Sequence, residues 1–471
     1  LAAVRYGCRA LFAIPGISAL ILFILARPQE FLPLLQRVPF LHLFTALAVL
    51  GWVIDIRLRR LQPLATPTLP WVIALIVWTI IGTAAVAAEQ VMGRVVEMLI
   101  LFALYGTIAH GIQRFRTFQI VAGALAATCM FVTLVCFHQG LSPLQCVGGS
   151  ENGGEGDISG IPDGRRCANN EECRGADGEP GLEYRCEHVG LFGTYSVEER
   201  VRYRGDLHDP NEVSLTICAG ALSMLIGFAL RKRKPFSVFL YGLGAAIVLW
   251  TVFLTQSRGG LVAGLLVPGV YIVRKYGIKS LIPSAAVALP VLILGSRSGE
   301  NADVSTQLRY EAWGTGLQMF RHNPVFGVGA RQFTEHNFLT AHNTYVLAFS
   351  ELGFPGFVIF GVIVYLSMKM LIVGLRELGK RPGTEVATVW GMALFASTAG
   401  ILFQITTLSF LYHPVLWIFF GLVGAWWSAI RHHWPEFDVS LTWRDFFIVV
   451  AACAFFILGF LPLFLRYKGA L

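Results

Sequence analysis

Charge is what this sequence has least of. Only 14% of its 471 residues are Asp, Glu, Lys or Arg, against about 25% in an ordinary soluble domain. So few charges cannot clothe a chain of this length in water, and a soluble globular fold is excluded. Soluble-enzyme signatures are missing too. There is no P-loop, no Gly-x-Gly-x-x-Gly after a strand, no His-Glu-x-x-His and no Gly-x-Ser-x-Gly. No Cys-x-x-Cys pair marks a zinc site and no EF-hand spacing marks calcium.

What is abundant is apolar sequence. Hydrophobic side chains make up 55% of the chain and the mean hydropathy is +0.62. These residues come in long blocks, and a helix needs roughly 20 apolar residues to cross a bilayer. Spans are expected near residues 10–26, 38–55, 69–88, 93–110, 117–137, 211–230, 236–255, 259–274, 279–295, 343–366, 386–407, 411–430 and 445–465. The fold class is therefore an all-α polytopic membrane protein, with about 12–13 transmembrane helices and two long periplasmic loops. The first block is followed by Arg27-Pro28-Gln29-Glu30 rather than by a small-residue cleavage site, so it reads as a retained helix.

The net charge of +8 does not point to nucleic acid, because the basic residues sit in short loops between spans, where they set orientation. With Arg5 and Arg9 inside, the later inside loops carry Arg57, Arg59 and Arg60, then Arg114 and Arg116, then Arg231 to Lys234. Arg274, Lys275 and Lys279 follow, then Lys369, Arg376, Lys380 and Arg381, and finally Arg431 and Arg444. Arg466 and Lys468 fall outside against the rule, which one span fewer or a re-entrant segment would repair.

Two outside loops are long. Loop A (residues 138–210) is Gly- and acid-rich in its middle and holds Cys146, Cys167, Cys173 and Cys186. Four cysteines in one polar loop suggest two disulfides and an oxidising compartment, with three pairings open and zinc the alternative. Cys8, Cys129, Cys136, Cys218 and Cys453 lie in or beside apolar segments and read as packing residues. Asp157, Asp163 and Asp177 offer a weak calcium reading. Loop B (residues 296–342) mixes aromatics, glycines and polar residues, a texture suited to short amphipathic helices lying on the membrane surface. The resulting division is 1–137 N-terminal helices, 138–210 cysteine loop, 211–295 central helices, 296–342 catalytic loop and 343–471 C-terminal helices.

Polar residues at the outer ends of spans are the candidates for chemistry. Thr255-Gln256-Ser257-Arg258-Gly259-Gly260 wedges an arginine between two apolar blocks. Snorkelling is the plain explanation, but the flanking polar and small residues favour a packed polar niche. Arg309 opens an amphipathic stretch that would pass unremarked alone. Ala341-His342-Asn343-Thr344-Tyr345 begins a long span, and histidine suits proton transfer near neutral pH. His322 and His336 are also followed by Asn, and spacing does not rank the three. Asp209-Pro210-Asn211-Glu212 precedes another span, where capping is the bland reading.

In order and placement these pieces resemble the O-antigen ligase/O-antigen polymerase family of lipid-linked glycan transferases. The resemblance rests on Asp209-Pro210-Asn211, Gln256-Ser257-Arg258-Gly259, Arg309-x-x-x-Trp313 and Pro324-Val325-Phe326-Gly327-Val328-Gly329. It extends to His342-Asn343-x-Tyr345, Glu351-Leu352-Gly353 and the Arg27-Pro28-Gln29-Glu30 stretch. It covers residues 20–430, and the cysteine insert of loop A departs from it.

The resemblance implies a transferase at the outer face of the bacterial inner membrane. The donor would be a glycan on undecaprenyl diphosphate. The acceptor would be a sugar hydroxyl on another glycan or on lipid A–core, membrane lipid would surround the site, and no cofactor or nucleic acid would take part. Arginine holds phosphate oxygens bidentately, which makes Arg258 and Arg309 the expected diphosphate ligands. His342 is the expected general base. Ser257, Asn343, Tyr345 and Asn211 are the expected substrate-binding residues, and no metal is expected. The rival reading is a secondary transporter of a small anion. That would call for an inverted repeat and broken helices at mid-membrane, and the sequence has no convincing internal repeat.

Overall fold

The computed structural model describes residues 11–150, 161–174, 182–232, 234–295 and 300–470. Arg5, Cys8, Arg9, Asp157, Asp177 and Arg233 lie outside these residues. Helix α1 (Ala13–Leu25) is followed by α2 (Phe40–Arg57), α3 (Leu69–Val86), α4 (Val91–Gly111) and α5 (Phe115–Leu141). After loop A come α6 (Pro210–Arg231), α7 (Pro235–Leu254), α8 (Arg258–Tyr276) and α9 (Leu281–Leu294). Loop B contributes α10 (Glu300–His322). Then α11 (Thr344–Leu378), α12 (Glu385–Gln404), α13 (Pro414–His433) and α14 (Trp443–Tyr467) follow. The protein is thus an all-α polytopic membrane protein. Every expected span holds a helix, and among the described residues 10 helices are long and apolar enough to cross a membrane. The other three are α1, α8 and α9.

Burial sorts these helices. Every residue of α13 from Val415 to Ile430 is buried, so it stands at the centre as a helix apolar on all sides must. Its Ser428 hydroxyl donates to the Ala109 carbonyl of α4 and its Trp426 indole to the Ala387 carbonyl of α12. By contrast, α2 exposes Leu43, Leu47 and Leu50, and α7 exposes Phe236, Phe239 and Leu240. Those are faces for lipid, and the helical backbone behind them satisfies its own polar groups.

The helices alternate in direction, so one end of the bundle gathers the starts of α6, α8, α11 and α13 with the finishes of α5, α7 and α12. Cross-links at that end include Val201 N to Leu254 O, Thr344 N to Ile405 O and Phe410 N to the Thr344 hydroxyl. The last helix finishes there as well, with Phe464 against Tyr310 and Trp313 of α10 and Lys468 near the Tyr310 ring. Arg466 and Lys468 therefore stay at the end that carries the two long loops.

Loop A is more ordered than its composition implied. It forms a three-stranded antiparallel sheet, β1 (Leu144–Ser150), β2 (Ile161–Arg166) and β3 (Leu182–His188), with β1 central. Cys146 pairs with Cys173 and Cys167 with Cys186, so the sulfurs considered for zinc are spent in disulfides. Asp163 is occupied by Arg165, at 2.7 Å. Cys129, Cys136, Cys218 and Cys453 are free and buried.

Loop B departs from expectation in scale. Beside the one-turn helix Phe333–His336 it holds a 23-residue helix, α10, packed on the bundle. The chain then runs through Pro324–Gly329 against a break in α11. Gly353 has φ 67° and ψ −173° inside that helix. The backbone groups freed by the break are taken up by the loop: Val328 N donates to Ser350 O, Gly329 N to Glu351 O, and Phe354 N to Pro324 O. Gly327 also has a positive φ of 66°, and a Cβ at either glycine would overlap the opposite backbone. Trp78 of α3 clamps the pair, its indole donating to Leu352 O and its ring stacking on Phe326. The Pro324–Gly329 and Glu351–Gly353 motifs are thus two halves of one packing joint.

Candidate active site

At the loop-bearing end, three separate stretches of sequence are tied by short hydrogen bonds. Asp209 caps α6, accepting from Asn211 N at 2.6 Å, and Pro210 follows at the first helical position. The Asn211 amide turns back to donate to Asp209 at 2.8 Å. Its oxygen accepts from the Ser257 hydroxyl at 2.6 Å. Ser257 also caps α8 by accepting from Gly260 N at 3.0 Å. That leaves Arg258 as the first helical residue, with its side chain exposed, where the dipole of α8 favours an anion. Gln404 at the finish of α12 closes the ring, donating to Asn211 O and to the Ser214 hydroxyl, both at 2.8 Å.

His342 enters from loop B. Its backbone φ is 43°, a left-handed conformation that costs roughly 1–3 kcal/mol and persists only where surroundings enforce it. Gln256, one residue before Ser257, is held likewise at φ 49°. Hydrogen bonds on both sides supply the enforcement at His342. The Trp313 indole of α10 donates to the Ala341 carbonyl at 2.8 Å. On the other side, Asn343 caps α11, accepting from Tyr345 N at 3.0 Å and Val346 N at 3.2 Å. Arg309 lies four residues before Trp313, one helical turn away on the same face, so the bond that pins Ala341 also brings Arg309 toward His342.

The electrostatics agree with this placement. Burial pushes the His342 imidazole down to about 4, the Arg309 guanidinium pushes the same way, and the Asp209 carboxylate opposes. Arg309, His342 and Asp209 are thus electrical neighbours, and Asp209 links them through Asn211 to Ser257. His322 and His336 differ sharply, since both are exposed and His322 is bonded only to the Gln318 carbonyl of its own helix.

Two expected substrate ligands have other employment. The Asn343 amide oxygen is engaged in the cap, and the Tyr345 hydroxyl donates to the Leu402 carbonyl at 3.1 Å while its ring packs near Phe360 and Phe456. Sequence reasoning missed Arg200, which donates to the Thr255 carbonyl at 3.0 Å and reaches Asn211 at 3.5 Å. It also missed Gln404. For Gln404 a signal existed, an amide inside an apolar span. For Arg200 there was none, because nothing local distinguishes it from its neighbours Arg202 and Arg204.

A second polar group lies at the same end. Arg331, held at φ 62°, pairs with Glu97 at 2.6 Å and packs on the Tyr412 ring. Its backbone N–H and that of Phe333 donate to the Glu351 carboxylate. Arg27 bridges Glu30 and Asp206, each at 2.7 Å, and the Asp206 carbonyl meets His413 Nε2 at 3.0 Å. These residues tie α1, α4, α11 and α13 together around the active-site segment 205–212.

The arrangement defines a multi-pass membrane protein with a polar, strained and charged cluster at one end of its helices. Residues 243–361 match the family model described as O-antigen ligase, which supports the resemblance to the O-antigen ligase/polymerase family over that stretch. The matched stretch contains Gln256 to Gly259, Arg309, His342 and the Glu351–Gly353 break. It leaves Asp209 to Asn211 and the cysteine loop outside. No curated protein matches the chain. Over that stretch the match supports a ligase/polymerase-type function in the membrane.

Proposed function

We propose that this protein transfers a glycan from undecaprenyl diphosphate to a sugar hydroxyl at the periplasmic face of the bacterial inner membrane. The observation that carries the reading is the meeting of His342 with Arg309 beside the Asp209–Asn211–Ser257 network. Arg309 and Arg258 hold the diphosphate leaving group, whose negative charge needs cations rather than a proton donor. His342 is neutral because it is buried beside Arg309, so it takes the proton of the acceptor hydroxyl as that oxygen attacks the anomeric carbon. The charge of the bound diphosphate offsets Arg309 and raises the basicity of the imidazole when the donor is in place. Asn211 and Ser257 position the start of α8, and the acceptor approaches along that rim. No step in this scheme draws on a metal. A glycan chain or lipid A–core both present the required hydroxyl.

The test is transfer in proteoliposomes from a lipid-diphosphate glycan, with chelator present. General-base help is worth about 10² to 10⁴ in rate, so His342→Ala should lose that much while still binding donor. His322→Ala and His336→Ala should remain near wild type. Near-normal transfer by His342→Ala, or a strict need for an added divalent ion, rejects the mechanism and reopens the anion-transporter reading.

A further inference from the structure

A large apolar cavity runs along α8 toward the end of the bundle opposite His342. It has a volume of about 1030 Å³ and lies between α8, α9, the far end of α11 and α12, open on one side. That exceeds the roughly 300–1,000 Å³ usual for drug-sized ligands. Its walls are residues such as Val262, Leu265, Leu292, Met392 and Phe395. Among the described residues no carboxylate lines it, and the charged lining groups are Arg274 and Arg376. They belong to the last turns of α8 and α11, so both sit at the end of the bundle opposite His342.

A lone arginine at a helix C-terminus needs no ligand, since the helix dipole accounts for it. Two from different helices at the mouth of one apolar cavity are another matter. Both side chains are exposed, and among the described residues neither has an ion-pair partner. We propose that the cavity holds one anionic phospholipid, its acyl chains between α8, α9 and α12 and its phosphate on Arg274 and Arg376.

Depth supports this occupant. The lining runs along α8 from Val262 to Arg274, which at 1.5 Å per residue is about 18 Å. One leaflet of a roughly 30 Å hydrocarbon core is about 15 Å deep. Lys275 and Lys279 adjoin the mouth in sequence and add to the attraction for an anionic surface. The glycan donor is a poor fit, because its diphosphate belongs at the Arg258 end of α8. Only the exclusion of the donor rests on the proposed transfer chemistry; the depth and charge of the cavity do not. The proposal also gives α8 a second support, since the cavity's inner end at Val262 lies one turn from Arg258.

Delipidated full-length protein would be titrated with phosphatidylglycerol and with phosphatidylcholine, reading bound lipid by native mass spectrometry. One phosphatidylglycerol per chain should bind in preference. Each basic residue near a charged lipid surface contributes about fivefold, so Arg274→Gln with Arg376→Gln should weaken binding roughly thirtyfold. Gly269 lines the cavity and a Cβ there meets nothing within 4 Å. Gly269→Leu should therefore occupy the space and exclude the lipid while keeping the melting temperature of lipid-free protein. His342→Ala should bind phosphatidylglycerol normally. Equal binding of the two lipids, unchanged affinity in both variants, or retention of a polyprenyl diphosphate in the cavity instead would overturn the proposal.

Discussion

Loops A and B leave the bundle at the same end and keep their shape by opposite means. Loop A is stapled: two disulfides and a three-stranded sheet hold residues that bury little beyond their own sulfurs. Loop B is packed: α10 leans on α11 through Phe320 and Phe349, and the Pro324–Gly329 turn completes the break at Gly353. A staple fixes a loop to itself, whereas packing fixes it to the membrane bundle. His342, the proposed general base, is on the packed loop. Loop A reaches the site at its return, through Arg200 and Asp209.

That contrast can be broken by experiment. After His342→Ala, the largest effect should come from replacing either Arg309 or Arg258 by Lys. A hydrogen bond to a charged group is worth about 1.5–3 kcal/mol, so transfer should fall roughly 10- to 100-fold. Wild-type turnover in both Lys variants would remove them from the mechanism. Gly353→Ala should come next, costing about 1–3 kcal/mol and lowering the melting temperature of the purified protein, because the joint between loop B and α11 cannot accept a Cβ. An unchanged melting curve would mean that the two motifs do not depend on each other.

Removing the staple should do less. With Cys146→Ser and Cys173→Ser together, loop A should become sensitive to protease while transfer drops only a few-fold. A loss as large as that of His342→Ala would place loop A in the chemistry. The smallest effect is on pH. His342 is pushed down to about 4 from the ordinary 6.5, so between those values the unfolded chain binds more protons than the folded one. The contribution of this residue to stability is therefore full above about pH 6.5 and declines as pH falls toward 4. The acid limb of kcat/KM should lie below 6.5 in wild type and move upward in Arg309→Gln, since one downward push is removed while burial remains. A limb that stays fixed in that variant would separate Arg309 from His342.

Much of the fold is legible in the amino-acid sequence alone. Apolar blocks mark thirteen helices because a bilayer imposes one length scale on the chain, and four cysteines in one polar loop mark the staple. The packing joint is visible there only as two motifs, since nothing in Pro324–Gly329 or Glu351–Gly353 says that each supplies the other's missing hydrogen bonds. The ranking of His342 over His322 and His336 is illegible because it depends on burial and on a Trp313 bond across the loop. Loop A hides its strands because Gly148 and Gly149 interrupt any alternation in β1.

The break at Gly353 has a mechanical consequence. A straight helix of the 35 residues of α11 would measure about 52 Å, far more than a roughly 30 Å hydrocarbon core accommodates without steep tilt. The break makes the portion beyond Gly353 the spanning rod and turns residues 344–352 into a short platform, about 14 Å long, seated on protein rather than on lipid. His342 stands at the free edge of that platform. The platform is tied to α3 through the Trp78 indole and to α10 through Phe320, so it is held by protein contacts on both sides.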